Sequence, residues 1–363
     1  MLILLSKWKR ARGLEGAIDY CTSLEMVMKA KLNGSSVPST KCWVSRHQGF
    51  PKKLLFLRKY SNQLKRRMVP LKRLFHENSF TSNNVSKFIE ATTRVADRSY
   101  IESLKPLQSV LSLGIAFIKR EINLPSRATN SHNVGSYPEL VYLKLSPRFK
   151  GEELNLRMAK MILSDLQHLR HKPELRRNIY IGSALKAFKA LPIDQLLSTL
   201  VTGAGDLRDF ALNIGDEHPG SVGNVFASSE PGLKLRVFAS PRLIYQTALG
   251  PLFESLCEIL RVLPSDCTTD QESGALWAQE QLKLGKTVHS VDTRSATDTT
   301  PYFLQRWTLN RLGYCAQMLQ LLDVAVAGDW VIPNSFGLKR ELIKWTRGQP
   351  LGLLPSFAIY ALF

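Results

Sequence analysis

One stretch constrains the fold more than any other: KLGKTVHSVDTRSATDTTPYFLQRWTLNRLG, from Lys283 to Gly313. The β-branched residues up to Val288–Val291 suit a strand. Thr300 then reads as a helix cap, Pro301 as the first helical position and Gly313 as the stop of the helix. Two carboxylates fall at the junction, Asp292 at the strand tip and Asp298 in the turn that leads into the helix. Strand tips are where α/β and α+β folds place chemistry. A plainer reading stands beside the catalytic one: Asp298 caps the helix and Asp292 is a solvated turn residue.

The chain has 363 residues, 44% hydrophobic and 22% charged, enough for two or three packed subdomains and not the composition of a disordered protein. The formal net charge of +19 is unevenly spread. Residues 1–75 hold 17 Lys and Arg against Glu15, Asp19 and Glu25, a net of +14, whereas the other 288 residues carry 32 against 27. Such asymmetry points to a polyanionic partner, nucleic acid ahead of a membrane surface. The five cysteines (Cys21, Cys42, Cys257, Cys267, Cys315) are odd in number, far apart and without CxxC pairs, which fits a reducing compartment and neither a disulfide framework nor a zinc site. His168 and His171 have helical spacing with no third ligand nearby and read as a surface pair. MLILL is too short for a signal-peptide core, and no run reaches 18 apolar residues, so a soluble, intracellular protein is expected.

Along the chain, Leu2–Phe75 mixes basic and apolar residues as amphipathic basic helices do. Ser126–Ser136 reads as a linker, and EELNLRMAKMILSDLQHLRH and GSALKAFKALPIDQLLSTLV as helices. Residues 203–232 are rich in glycine and turn residues. LRVFA then reads as a strand, RLIYQTALGPLFESLCEILRVL as one long helix and DWVIP as a short strand. No internal repeat or low-complexity tract interrupts the chain.

Three islands carry chemistry. In EPGLKLRVFASPR, Lys234 and Arg236 alternate with Leu235 and Val237, so a strand presents both cations on one face, where they could hold a triphosphate. The second island is the Asp292/Asp298 segment. The third is RGQPLGLLPSFAIYALF, a loop with Gly348 and Gly352 running into an apolar helix, where backbone can lie close to a ligand. A lone KxR or Gly-Pro-Gly loop means little. In this order and spacing the islands resemble motifs F, A and B of viral RNA-dependent RNA polymerases of the narnavirus and mitovirus group, whose patterns run roughly GKxRVFA, DLSxATD and GQPMGxLSSW. Here they stand as GLKLRVFA, DTRSATD and GQPLGLLPSF, and LPSDCTTDQ (Leu263–Gln271) is similar to the group's LPxDGTFDQ. The resemblance covers Pro231–Phe363.

The resemblance implies an α+β right-hand polymerase: helix-rich fingers and the first part of a palm, without thumb or motif C. Residues 1–130 would be a basic, RNA-binding part of the fingers, 131–285 fingers with motif F at 231–242, and 286–363 a partial palm with motif A at 288–301 and motif B at 346–363. It implies that Asp292 is the catalytic metal ligand of a two-Mg²⁺ site, with Mn²⁺ as an alternative ion. Lys234 and Arg236 would neutralise the triphosphate, and Asp298 would accept a hydrogen bond from the ribose 2′-OH with Ser295 nearby. Gly348, Gln349 and Ser356 would shape the floor under template base and ribose. RNA template, nascent RNA and NTPs are the implied partners, in the host cytoplasm or, for a true mitovirus, the mitochondrion.

Two departures from the group's pattern stand out. Arg294 occupies the place of the usual Ser two residues after the aspartate, with Ser295 next, and no Gly-Asp-Asp of motif C occurs in the sequence. The expectation is therefore a truncated polymerase or one half of a split palm, with motifs C and D on a second polypeptide, inactive alone. A reverse transcriptase is the runner-up, disfavoured because Ala296 and Thr297 leave no aromatic steric gate. A non-catalytic RNA-binding protein with a palm-like fold is the third reading.

Overall fold

The computed structural model describes residues 2–32, 82–95, 98–122, 152–190, 218–230, 234–293, 295–336 and 342–363. They belong to two compact units, Met1–Thr81 with Ala227–Val237, and Ser82–Phe226 with Phe238–Phe363.

In the first unit, helix α1 (Leu2–Leu32) bends at Gly13, whose φ of 69° leaves the helical region. Beyond the bend, Ala17, Tyr20, Cys21, Leu24, Val27 and Met28 recur at three- and four-residue steps and are buried. That is the apolar stripe of a packed helix. Lys7, Lys9, Arg10 and Lys29 are exposed. The rest of the basic region lies outside the described residues, as does the Ser126–Ser136 linker.

The second unit is helix-rich around a small mixed sheet, which makes the fold α+β. Its first helices are α2 (Ser82–Thr93), α3 (Arg98–Ser103), α4 (Lys105–Ile122), α5 (Glu152–His171) and α6 (Ile179–Ala190). Strands β1 (Gly223–Glu230) and β2 (Lys234–Pro241) follow, their Ala227–Glu230 and Lys234–Val237 parts counted in the first unit, then α7 (Leu243–Ala248), α8 (Gly250–Val262) and α9 (Gln271–Lys283). The short α10 (Ala296–Thr299) precedes α11 (Tyr302–Leu312) and α12 (Ala316–Ala327), strands β3 (Trp330–Val331) and β4 (Leu342–Ile343), and α13 (Ser356–Ala361). The sheet order is β2-β1-β3-β4. β1 and β3 run parallel, with Gly223 opposite Trp330, and β3 and β4 antiparallel, with Trp330 opposite Ile343. Around it α7 packs on α5 and α6, α4 on α8 and α11, and α12 on α6 and α11. Trp330, Tyr245, Ile244, Leu249 and Ile181 are among the fully buried side chains.

The structure corrects several expectations. Val288–Val291 is not a strand: residues 286–293 carry no regular structure, and Val291 is 87% exposed. The segment finds no ladder partner among the described residues, and β-propensity without pairing does not hold a strand. Residues 223–230, read as part of a turn-rich region, form β1. The long helix is two, α7 and α8, because Gly250-Pro251 opens a new first turn where Pro cannot donate a helical N–H. The second expected helix starts earlier, at Ile179, and is described as far as Ala190, residues 191–201 lying outside the described residues. Thr300 does not cap α11. Its hydroxyl donates back to Ala296 O (2.7 Å), and Pro301 takes the cap position, while Gly313 ends the helix as expected. His168 is no surface residue: it is fully buried, its ring bonding Pro219 O (2.7 Å) and Tyr245 Oη (2.8 Å), whereas His171 is exposed. By length and composition alone the stretch Arg98–Arg120 could cross a membrane. Its Ile115 and Ile118 are nonetheless buried where α4 packs on α8 and α11.

Candidate active site

The site is built around the loop Trp345–Pro355, which ties the second and third sequence islands together. Gly348 lies flat on the short helix α10: a Cβ there would overlap the carbonyls of Thr297 and Asp298. The next amide, of Gln349, donates to Thr297 O (2.8 Å), and Tyr302 N donates to Arg347 O (2.8 Å). Only glycine permits that approach. The first island joins through its C-terminal end. Ala239 N donates to Leu351 O (2.6 Å), and Gly352, at φ +123°, faces the Ala239 carbonyl where any Cβ would collide.

Two glutamines lock the loop. Gln246 of α7 donates to Gly352 O (2.8 Å) and accepts from Leu354 N (2.7 Å). Gln305 of α11 accepts from Gln349 Nε2 (2.6 Å), which also reaches Ser356 O (3.1 Å). Gln349 Oε1 and Ser356 Oγ are buried without a hydrogen-bond partner among the described residues. Buried polar atoms are ordinarily satisfied, so this loop carries unused acceptor and donor capacity. Neither Gln246 nor Gln305 stood out in the sequence. For Gln246 the available signal was an amide inside the largely apolar LIYQTA.

Asp298 is 8% exposed. Its Oδ1 accepts a hydrogen bond from Trp345 Nε1 at 2.8 Å. So Asp298 is not a helix cap. Burial pushes its carboxyl up to about 6, and the indole hydrogen bond pulls the other way. The folded state thus holds this proton more tightly than the unfolded chain, whose aspartate titrates near 3.8. As far as this group is concerned, stability is greatest below about pH 4 and is lost as pH rises through about 6. At pH 8 the buried charge costs about 3 kcal/mol on this shift. Asp298→Asn should recover about 2 kcal/mol of it, the unpaired amide N–H taking back about 1. Urea unfolding of both proteins should show the variant about 2 kcal/mol more stable at pH 8 and about 1 kcal/mol less stable below pH 4. A gap independent of pH would contradict the burial.

Asp292 stands differently. It lies in the segment without regular structure that precedes α10, exposed to solvent. Ser295, between the two aspartates, adopts a left-handed conformation (φ 47°, ψ 43°), and its carbonyl accepts from Thr299 N and Oγ1, both 3.0 Å. A left-handed serine is uncommon and marks a constrained turn. Lys234 opens β2 and Arg236 is exposed in the same strand, both within the first compact unit. Among the described residues no group of three or more His, Cys, Asp or Glu could hold a metal ion. The Asp292 carboxylate is a hard oxygen donor of the kind divalent ions take.

A glycine-floored loop seated on a short carboxylate-bearing helix, beside a small mixed sheet, is compatible with a polymerase domain. Residues 161–363, more than half of the chain, match the family described as Mitovirus RNA-dependent RNA polymerase. The chain belongs to that family, and its activity is RNA-directed RNA polymerisation in viral replication. Its substrates are accordingly an RNA template and NTPs, and polymerases of this family use divalent metal ions. No curated protein and no solved structure matches the chain.

Proposed function

We propose that this chain supplies the fingers and the first part of the palm of a right-hand polymerase. Residues 1–130 hold the RNA backbone, 131–285 complete the fingers, and 286–363 carry motifs A and B. The observation that carries this reading is the seating of Gly348 and Gln349 on Thr297 and Asp298. It brings two motifs, 50 residues apart in sequence, into the contact that nucleotide selection requires.

In this reading Asp292 would hold the catalytic Mg²⁺, whose chemistry is to activate the primer 3′-OH and stabilise the departing pyrophosphate. Lys234 and Arg236 neutralise the triphosphate. Asp298 accepts the ribose 2′-OH through Oδ2, which has no hydrogen-bond partner among the described residues while Oδ1 is occupied by Trp345. Ser295 borders the same hydroxyl, and Gly348, Gln349 and Ser356 form the floor. Further metal ligands come from a Gly-Asp-Asp hairpin on another segment or a second polypeptide.

The test is nucleotide choice in polymerase supplied with a Gly-Asp-Asp-bearing segment. Loss of one hydrogen bond to a charged acceptor corresponds to roughly 1.5–3 kcal/mol. Asp298→Ala should therefore lower the ribo-over-deoxy preference in kcat/KM by about 10- to 100-fold. Unchanged preference would remove Asp298 from the ribose.

A further inference from the structure

The residue that positions Asp298 is not in any of the three islands. We infer that Trp345 is a specificity-determining positioning residue: its indole N–H pins one carboxylate oxygen of Asp298 so that the other faces the incoming ribose. This rests on the assignment of Asp298 to the ribose 2′-OH.

The geometry supports it in three ways. First, Trp345 is immobilised. It follows edge strand β4, is 4% exposed, and meets Trp330 edge-on at 5.4 Å and Phe88 at 5.9 Å, with Phe336 against Phe88 at 6.5 Å. Its neighbour Thr346 is tied by N–H (3.0 Å) and hydroxyl (3.2 Å) to Thr92 O of α2. A ring so enclosed has one orientation, and its single donor has one direction. Second, that donor ends on Asp298 Oδ1 at 2.8 Å, within the distance of a good charge-assisted bond. A short aspartate has few rotamers, so fixing Oδ1 also fixes where Oδ2 stands. Third, the neighbouring Trp330 is buried just as deeply, yet its Nε1 has no partner among the described residues. Burial of a tryptophan here does not by itself require the indole bond, so the bond from Trp345 is a distinct feature of that position.

The experiment compares Trp345→Phe with Trp330→Phe, each keeping a ring in the cluster while only the first removes a bonded N–H. Trp345→Phe should lower ribo-over-deoxy preference about 5- to 10-fold, mainly through a raised ribonucleotide KM, with kcat for ribonucleotides within about twofold. A hydrogen bond of about 1 kcal/mol sets that scale. Trp330→Phe should leave the preference unchanged, and adding Trp345→Phe to Asp298→Asn should change it less than twofold, since coupled groups do not add. Equal losses from the two tryptophan variants, or additivity with Asp298→Asn, would overturn the inference. If Asp298→Ala alters preference but Trp345→Phe does not, the inference fails and the ribose assignment stands. If Asp298→Ala has no effect, the assignment itself fails and takes the inference with it. Should Trp345→Phe not fold, the wild-type chain decides: one of its six indole N–H signals should lie downfield and move on Asp298→Asn. The absence of such a signal would overturn the hydrogen bond and with it the inference.

Discussion

Asp292→Ala is expected to reduce template-directed incorporation by about 10³-fold or more while leaving the protein folded. The two halves of that result come from different physics. Stabilising developing charge at a metal centre is worth several kcal/mol, and about 4 kcal/mol corresponds to 10³ in rate. Asp292 is exposed, in a segment without regular structure, and such surface positions usually change stability by no more than about 0.5 kcal/mol. Primer extension and thermal melting of the same preparation should therefore part company. Asp292→Asn should behave alike, because an amide keeps the shape and loses the charge. Activity within tenfold of wild type would exclude Asp292 as a metal ligand.

Gly352→Ala is expected to cost about 3 kcal/mol or more and to loosen the Trp345–Pro355 loop from β2. A left-handed φ of +123° is costly for alanine, and its methyl would meet the Ala239 carbonyl, which is backbone and cannot turn aside. Gly285 is the control. Its φ is +74°, but nothing lies within 4 Å of a Cβ there, so Gly285→Ala should cost only about 1 kcal/mol. Urea midpoints of the two variants give the comparison. Equal losses would mean that the Ala239–Leu351 and Ala239–Gly352 contacts are not made.

What the sequence made legible was local. The 3.6-residue period of α5, the glycine that ends α11, the strand from Lys234 and the short strand at Trp330 all arise from chemistry within a dozen residues. The misreadings concern partners. Val288–Val291 has strand-like residues but no ladder among the described residues. β1 was hidden by its glycine and serines, although Val225 and the half-buried Ala227 alternate with the exposed Asn224 and Phe226. In the candidate site, Gly348, Gln349 and Ser356 stood out because their spacing in RGQPLGLLPSF resembles a family pattern. Gln246 and Trp345 were not, since each acts on a residue far along the chain: Leu354 is 108 residues from Gln246, and Asp298 is 47 from Trp345. No local pattern encodes such a contact.

The tie between Thr346 and Thr92 spans 254 residues. At ribosomal speeds of roughly 5–20 residues per second, about 13–50 seconds separate the synthesis of its two ends. During that interval helix α2 has no Trp345 to receive Phe88, and Asp298, once made, has no indole over it. Contacts of such long sequence separation are closed late because their loop entropy is met before any packing rewards it. The corner formed by Asp298, Trp345 and Thr92 is therefore expected to be among the last parts of the nascent chain to assemble. Until then α2 keeps its apolar residues Val85 and Phe88 available to chaperones.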